Sequence, residues 1–387
     1  LRIQSRIKLF SLAQFLTVGF YSFILGSFPI YLSDIGLSST EIAWVNVLGT
    51  VVFMSGGFVV LHIMSEKLTA KKIIYWSSFL SLPIFYLFLS ARGVVLVTIT
   101  WFLFSICTVF TQTLLDVHLL RCNERGEMRY ERIRAWGSIG FIVFAFLLGA
   151  MVDAFGSGFS TWCILGFVVI RSLISLKIAS YIETPPLHDS DLKLGHSVFK
   201  LPVILLLISA AALFMSHAPL YVYQSLYLRA LGWSSTEISI ALNLSVFAEV
   251  LFFLNFKRLE RFMKLETILI LSALCTMLRW LMMGLSTNFY IILLSELLHA
   301  FSFGGVFLAS IRLAYNYFPE PFKGKSQGIL SLFGSGLGSL LGRYGIKEVG
   351  TWYTDYSQYN QMFLLGFWVA LVGLVSSSFL LKVNKSK

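Results

Sequence analysis

Charge is what this chain has least of. Only 13% of its 387 residues are Asp, Glu, Lys or Arg, against roughly 25% in soluble domains. With 57% hydrophobic residues and a mean hydropathy of +0.79, membrane integration is the reading that fits. Cysteine is scarce too. The four present, Cys107, Cys122, Cys163 and Cys275, fall in apolar runs or at their inner ends without pairing or metal-ligand spacing, so neither a disulfide framework nor a metal centre is expected. HExxH, GxSxG and P-loop signatures are missing, which argues against an intramembrane enzyme and against ATP-driven work within this chain. Regular apolar–polar alternation is also missing, and that excludes a β-barrel.

What the chain has is long apolar runs. Segments of spanning length, roughly 17–25 residues, recur near 10–32, 40–63, 71–91, 94–119, 134–153, 159–181, 199–228, 236–256, 267–286, 289–316, 326–346 and 362–382. The first follows a basic start, but it is too long for a signal peptide and lacks a small-residue cleavage site, so it is expected to remain as an anchor. The expected fold is therefore all-α and integral to the membrane, with twelve transmembrane helices.

The net charge of +11 invites a polyanionic partner, but its placement excludes nucleic acid. With the N-terminus inside, the inner segments hold Arg2, Arg6 and Lys8; Lys67, Lys71 and Lys72; and Arg121, Arg125, Arg129, Arg132 and Arg134. They also hold Lys177, Lys193 and Lys200; Lys257, Arg258, Arg261 and Lys264; Lys323 and Lys325; and Lys382, Lys385 and Lys387. The outer segments hold only Arg92, Arg229, Arg343 and Lys347. This bias is the positive-inside rule. It predicts both termini in the cytoplasm of a cell inner membrane, with the lipid bilayer as the main partner.

One phrase occurs twice. Tyr31-Leu32-Ser33-Asp34-Ile35-Gly36-Leu37-Ser38-Ser39-Thr40-Glu41-Ile42 returns as Tyr227-Leu228-Arg229-Ala230-Leu231-Gly232-Trp233-Ser234-Ser235-Thr236-Glu237-Ile238. The offset of 196 residues is about half the chain, which predicts two related six-helix bundles. The N-terminal bundle is assigned to 1–181, a cytoplasmic linker to 182–198 and the C-terminal bundle to 199–387. Pro185, Pro186, His188, Asp189, Asp191 and His196 mark the linker, and no metal is expected on its histidines. Two related halves in a membrane point to a secondary transporter with a small-molecule site between them and alternating access. Such a unit can work as a monomer. Ser38–Glu41 and Ser234–Glu237 themselves fit capping boxes that open a helix.

Ionisable groups inside apolar runs are costly and usually functional. They are Asp116, Arg171, His217, Glu249, Arg279, Glu296, His299 and Arg312. Glu296 and His299, three apart, share a helix face. A carboxylate or His that changes protonation beside an Arg can trade a proton for a substrate contact, so a proton is the expected coupling ion and no cofactor is expected. Buried ion pairs that only hold helices together are the competing reading for these same groups. Gly334, Gly338 and Gly342 form a stripe suited to close helix packing, and Trp352–Tyr359 reads as an interfacial aromatic belt.

Several runs are similar to the phenylpropionate permease-like group of the major facilitator superfamily. They are Tyr130-Glu131-Arg132-Ile133-Arg134-Ala135-Trp136-Gly137-Ser138-Ile139-Gly140, His217-Ala218 with Tyr221, Phe247-Ala248-Glu249-Val250, Arg279-Trp280 with Met283-Gly284, and Leu298-His299. They fall in order over nearly the whole chain. The resemblance implies proton symport of a small aromatic carboxylate, with Arg279 or Arg312 suited to the carboxylate. Comparison with the more distant lactose permease family implies a polar-substrate site from Asp116, Arg134 and Glu249, and proton handling near Arg279 and His299. His217 and Arg312 join the expected substrate contacts, and Glu249 and Glu296 the proton-coupling groups. This chain departs from that family at Ser302, where it carries an acid, at Phe141, where it carries a sugar-stacking Trp, and at Glu296, where it carries a Lys. The superfamily loop after helix two is degenerate here, as Ser65-Glu66-Lys67-Leu68-Thr69-Ala70-Lys71-Lys72. A sugar or nucleoside remains open as substrate, and a non-transporting receptor or an intramembrane enzyme as the alternative class.

Overall fold

Both copies of the repeated phrase fold alike in a computed structural model of the chain, which describes residues 3–60, 68–182, 200–319, 326–350 and 357–385. At Ser38 the backbone N–H donates to Glu41 Oε2 at 2.8 Å, and the Glu41 N–H returns to Ser38 Oγ at 3.3 Å. At Ser234 the same two bonds measure 2.8 and 3.2 Å to and from Glu237. Each box follows a glycine at positive φ, Gly36 at +94° and Gly232 at +87°, a conformation open to glycine because it has no Cβ. Both glutamates are thus occupied as caps.

Helix α1 runs through Ile3–Ser22, a π-widened turn Phe23–Ser27 and Phe28–Asp34. Then come α2 (Ser39–Phe58), α3 (Ala70–Ser90) and α4 (Val94–Glu124). The next helix, Tyr130–Ala179, is continuous except at Gly156, whose φ of +83° breaks it into α5 (130–155) and α6 (157–179). The two expected spans there are joined by a glycine kink rather than a loop. Helix α7 comprises Leu201–Ser216 and Ala218–Ala230 and is followed by α8 (Ser235–Phe262) and α9 (Leu265–Leu285). Helix α10 comprises Phe289–Leu297, the π turn Ala300–Gly305 and Val306–Tyr317. Helix α11 comprises Ser326–Leu330, the π turn Ser331–Gly338 and Ser339–Gly350, and α12 is Ser357–Lys385. Among the described residues the fold is all-α with twelve helices, and nine helical stretches, α5 and α6 taken as one, are long and apolar enough to cross a membrane. Most of the 182–198 linker, the end of the loop after α2 that holds Ser65 to Lys67, Lys323, Lys325 and Trp352 lie outside the described residues.

The chain divides into two units, Leu1–Ser190 with Trp233–Ile240, and Asp191–Gly232 with Ala241–Lys387. In the first, α5 presses on α1: a Cβ at Gly140 would lie 2.1 Å from the Phe15 carbonyl oxygen. Lipid gives helices no hydrophobic reason to associate, so such backbone-to-backbone approach supplies the packing. Phe20, Phe23, Phe28, Phe85, Phe88, Trp101 and Phe104 form one aromatic core, with Phe28 stacked on Trp101 at 4.0 Å. Asp153 accepts from the backbone N–H of Ser235 at 2.7 Å and of Thr236 at 2.8 Å, supplementing the cap of α8.

In the second unit the glycine stripe packs as expected. A Cβ at Gly338 would stand 2.5 Å from Ala211 O, and one at Gly342 2.5 Å from Met215 O, so α11 lies directly on α7. Helix α7 breaks at His217. Its N–H bonds Phe214 O at 3.2 Å instead of continuing the α ladder, and Pro219 has no N–H to give. The released Leu213 carbonyl is taken by His217 Nδ1 at 2.8 Å. Tyr359, expected in an interfacial belt, is buried against Tyr223 and Tyr227 at 5.7 and 6.1 Å. Asn360 beside it donates to Tyr227 Oη at 3.1 Å, which draws the start of α12 inward.

Candidate functional site

Each unit holds a polar cluster within its helices. In the first, Asp116 on α4 is gripped from both sides: Gln14 Nε2 donates to Oδ1 at 2.7 Å and Gln112 Nε2 to Oδ2 at 2.6 Å. Arg134, at the head of α5, acts on Asp116 electrostatically without closing to ion-pair distance. Tyr21 on α1 lies in the same field, with Arg171, Asp116 and Arg134 all acting on it. Asp116 and Arg134 are therefore brought into one neighbourhood as a charge pair held apart.

The second unit carries a continuous chain of polar contacts. Glu296 on α10 accepts from Arg279 Nη2 of α9 at 2.6 Å, from Gln224 Nε2 of α7 at 2.7 Å and from the Ser245 hydroxyl of α8. Arg279 and Glu296 are 0% exposed. The other face of the guanidinium, Nη1, meets His299 Nδ1 at 2.7 Å. Since arginine can only donate, Nδ1 is the acceptor and the ring's proton sits on Nε2. That nitrogen lies 3.5 Å from Glu249 Oε2, whose side chain is 20% exposed. The chain thus runs from a fully buried carboxylate to one that is partly exposed.

Beside it, His217 is buried with its ring edge-on to Trp280 at 5.0 Å and 6.4 Å from His299. Its Nδ1 donates to Leu213 O, so Nε2 is an acceptor, and this buried atom has no partner. Trp280 in turn lies under the Arg279 guanidinium at 5.1 Å, a cation–π contact that fixes the arginine from a third side. Arg312 stands apart: its side chain is 53% exposed, and Nε pairs with Glu260 at 3.5 Å.

The sequence reading named the charges and missed their partners. Gln14, Gln112, Gln224 and Ser245 are neutral, and the signal that could have found them is a carboxamide placed in an apolar run. Among the described residues no group of His, Cys, Asp and Glu is arranged to hold a metal ion.

Comparison with known proteins agrees with this architecture. A curated relative from Escherichia coli (strain K12), a probable 3-phenylpropionic acid transporter, is 24% identical over 307 residues, covering 76% of this chain and 78% of its own. The crystal structure of the nucleoside transporter NupG superposes with a TM-score of 0.81 at 17% identity, covering 99% of this chain and all of that one. The POT family transporter PepTSo gives 0.75 at 11% identity, over 99% and 98%. These structural likenesses show the shared fold. Residues 8–365 match the MFS_1 like family, and the chain belongs to that family as a multi-pass membrane transporter of the major facilitator type.

Proposed function

We propose that the protein takes up an arylalkyl monocarboxylate together with a proton across the cell inner membrane, by alternating access, with both termini cytoplasmic. The observation that carries the coupling is the graded chain Glu296–Arg279–His299–Glu249. Glu296 meets only donors and positions Arg279. Arg279 in turn keeps His299 Nδ1 proton-free, which orients Nε2–H toward Glu249. Glu249, the exposed end, is then the group that gains and loses the transported proton. A protonated Glu249 no longer attracts His299 as an ion. That change of partner couples the proton to the local arrangement of α8 and α10.

Asp116 and Arg134 are the proposed polar contacts for substrate in the first unit. His217 Nε2 and Glu249 are those in the second, with Arg312 as a contact near the inner end. The aromatic carboxylate is supported by the name of the E. coli relative and by the Trp280 ring beside His217. Labelled 3-phenylpropionate should accumulate in proteoliposomes under an imposed inward proton gradient, and a protonophore should collapse it. Gradient-driven accumulation of a sugar or nucleoside in its place would refute the substrate class. Entry of 3-phenylpropionate that ignores the gradient would refute the coupling.

A further inference from the structure

We infer that Arg171, which neither the resemblance nor the proton chain uses, is the anchor for the substrate's carboxylate. The inference rests on the aryl carboxylate reading above and names the site within it. Of the arginines inside the spans, Arg279 is ion-paired with Glu296 and bonded to His299, Arg312 is half exposed and paired with Glu260, and Arg343 lies over the Tyr221 ring at 5.3 Å. Arg171 differs. Its side chain is 5% exposed on α6, and its single hydrogen bond is a long one, Nη1 to Thr108 Oγ1 at 3.3 Å. Its buried Nε has no partner.

No carboxylate among the described residues reaches ion-pair distance of it. The acid in its vicinity, Asp116, sits eight residues beyond Thr108 along α4, about 12 Å of helix rise, with both oxygens already engaged by Gln14 and Gln112. A guanidinium cannot shed its charge to suit a dry site, and a buried charge without a counter-ion is strongly disfavoured. The arrangement is that of a fork of donors built for an anion delivered from outside, and a carboxylate fits such a fork in bidentate fashion.

The surroundings select the rest of the ligand. Thr108 adds a hydroxyl beside the guanidinium, and Tyr21 of α1 lies within its electrostatic reach. One helical turn away stand Phe104, four residues before Thr108, and Phe167, four before Arg171. Both pack on Phe20, at 5.5 and 6.4 Å, and Phe144 meets Phe167 at 4.4 Å. A carboxylate on Arg171 therefore places an attached aryl group along aromatic faces.

The test is equilibrium binding to the purified full chain in detergent, comparing 3-phenylpropionate, its neutral amide and butyrate. Wild type is expected to bind the aryl acid best. Arg171→Gln should weaken the acid at least about thirtyfold and the amide hardly at all, and Arg171→Lys, which keeps charge but not the fork, about tenfold. Thermal stability of ligand-free Arg171→Gln should equal or exceed wild type, because an unpaired buried charge is removed. Unchanged acid binding in Arg171→Gln overturns the assignment while leaving the aryl carboxylate reading intact. A destabilised variant that loses acid and amide alike shows a structural arginine and also overturns it. Wild type that binds no carboxylate removes the substrate reading and this inference together.

Discussion

Neutralising Glu296 should be the most damaging single change in the second unit, and the structure gives its size. The Arg279–Glu296 pair is 2.6 Å apart with both side chains 0% exposed. At an effective dielectric of about 20 that separation corresponds to about 6 kcal/mol of attraction, most of it offset by desolvation of the two ions. Removing one member does not restore the lost hydration of the other, so the cost of a single neutralisation is about 3–5 kcal/mol. The two singles should be unequal. In Arg279→Gln, Glu296 keeps its bonds from Gln224 and Ser245 and can take up a proton. In Glu296→Gln, Arg279 keeps His299 and the Trp280 ring but no anion, and it cannot lose its charge. The order of stability should therefore be wild type, the double variant, Arg279→Gln and, lowest, Glu296→Gln, with a coupling energy of at least about 2 kcal/mol in the cycle. Unfolding of purified protein in mixed micelles, followed by tryptophan fluorescence, reads all four. Additive singles, or Glu296→Gln within about 0.5 kcal/mol of wild type, would refute the buried-pair reasoning.

Packing and capping give smaller, separate tests. Gly140→Leu forces a side chain into the Phe15 backbone and should abolish folded yield of the full chain, whereas Gly158→Leu, with open space around its Cβ position, should express normally by fluorescence-detected size-exclusion chromatography. Ser234→Ala removes the acceptor for the Glu237 N–H and should cost about 1 kcal/mol, seen in the same micelle unfolding. Asp153→Ala frees the Ser235 and Thr236 N–H groups and should cost a similar, roughly 1 kcal/mol amount; no change in either variant would mean that water satisfies these donors equally well.

The twelve spans, the two capping boxes and the close-packed glycines were legible because each depends on residues near in sequence or on a property of one helix. Apolar length reports the bilayer, a Ser-x-x-Glu phrase reports its own first turn, and a stripe such as Gly338–Gly342 reports one face. The breaks at His217 and Gly156 and the π turns Phe23–Ser27, Ala300–Gly305 and Ser331–Gly338 were not legible, since a glycine at positive φ, a side chain that takes up its own helix's carbonyl or a widened turn leaves no periodic mark in an apolar run. The charged residues were visible as anomalies, but their pairing was not. Arg279 meets Glu296 rather than Glu249 because of how α9 and α10 are rotated, a quantity no local pattern encodes. Arg171 shows the limit from the other side: its chemistry lies in what it does not touch.

Glu249 is the residue through which the transported proton is proposed to pass. The direct measurement is the proton signal in lightly buffered proteoliposomes when 3-phenylpropionate is added, for wild type and Glu249→Gln. External alkalinisation is expected with wild type and none with Glu249→Gln, while the variant still exchanges labelled for unlabelled solute, because a glutamine mimics the loaded acid and only net movement needs the proton to leave. Solute-evoked proton uptake that persists in Glu249→Gln would contradict that role, and so would solute entry by wild type with no proton moving.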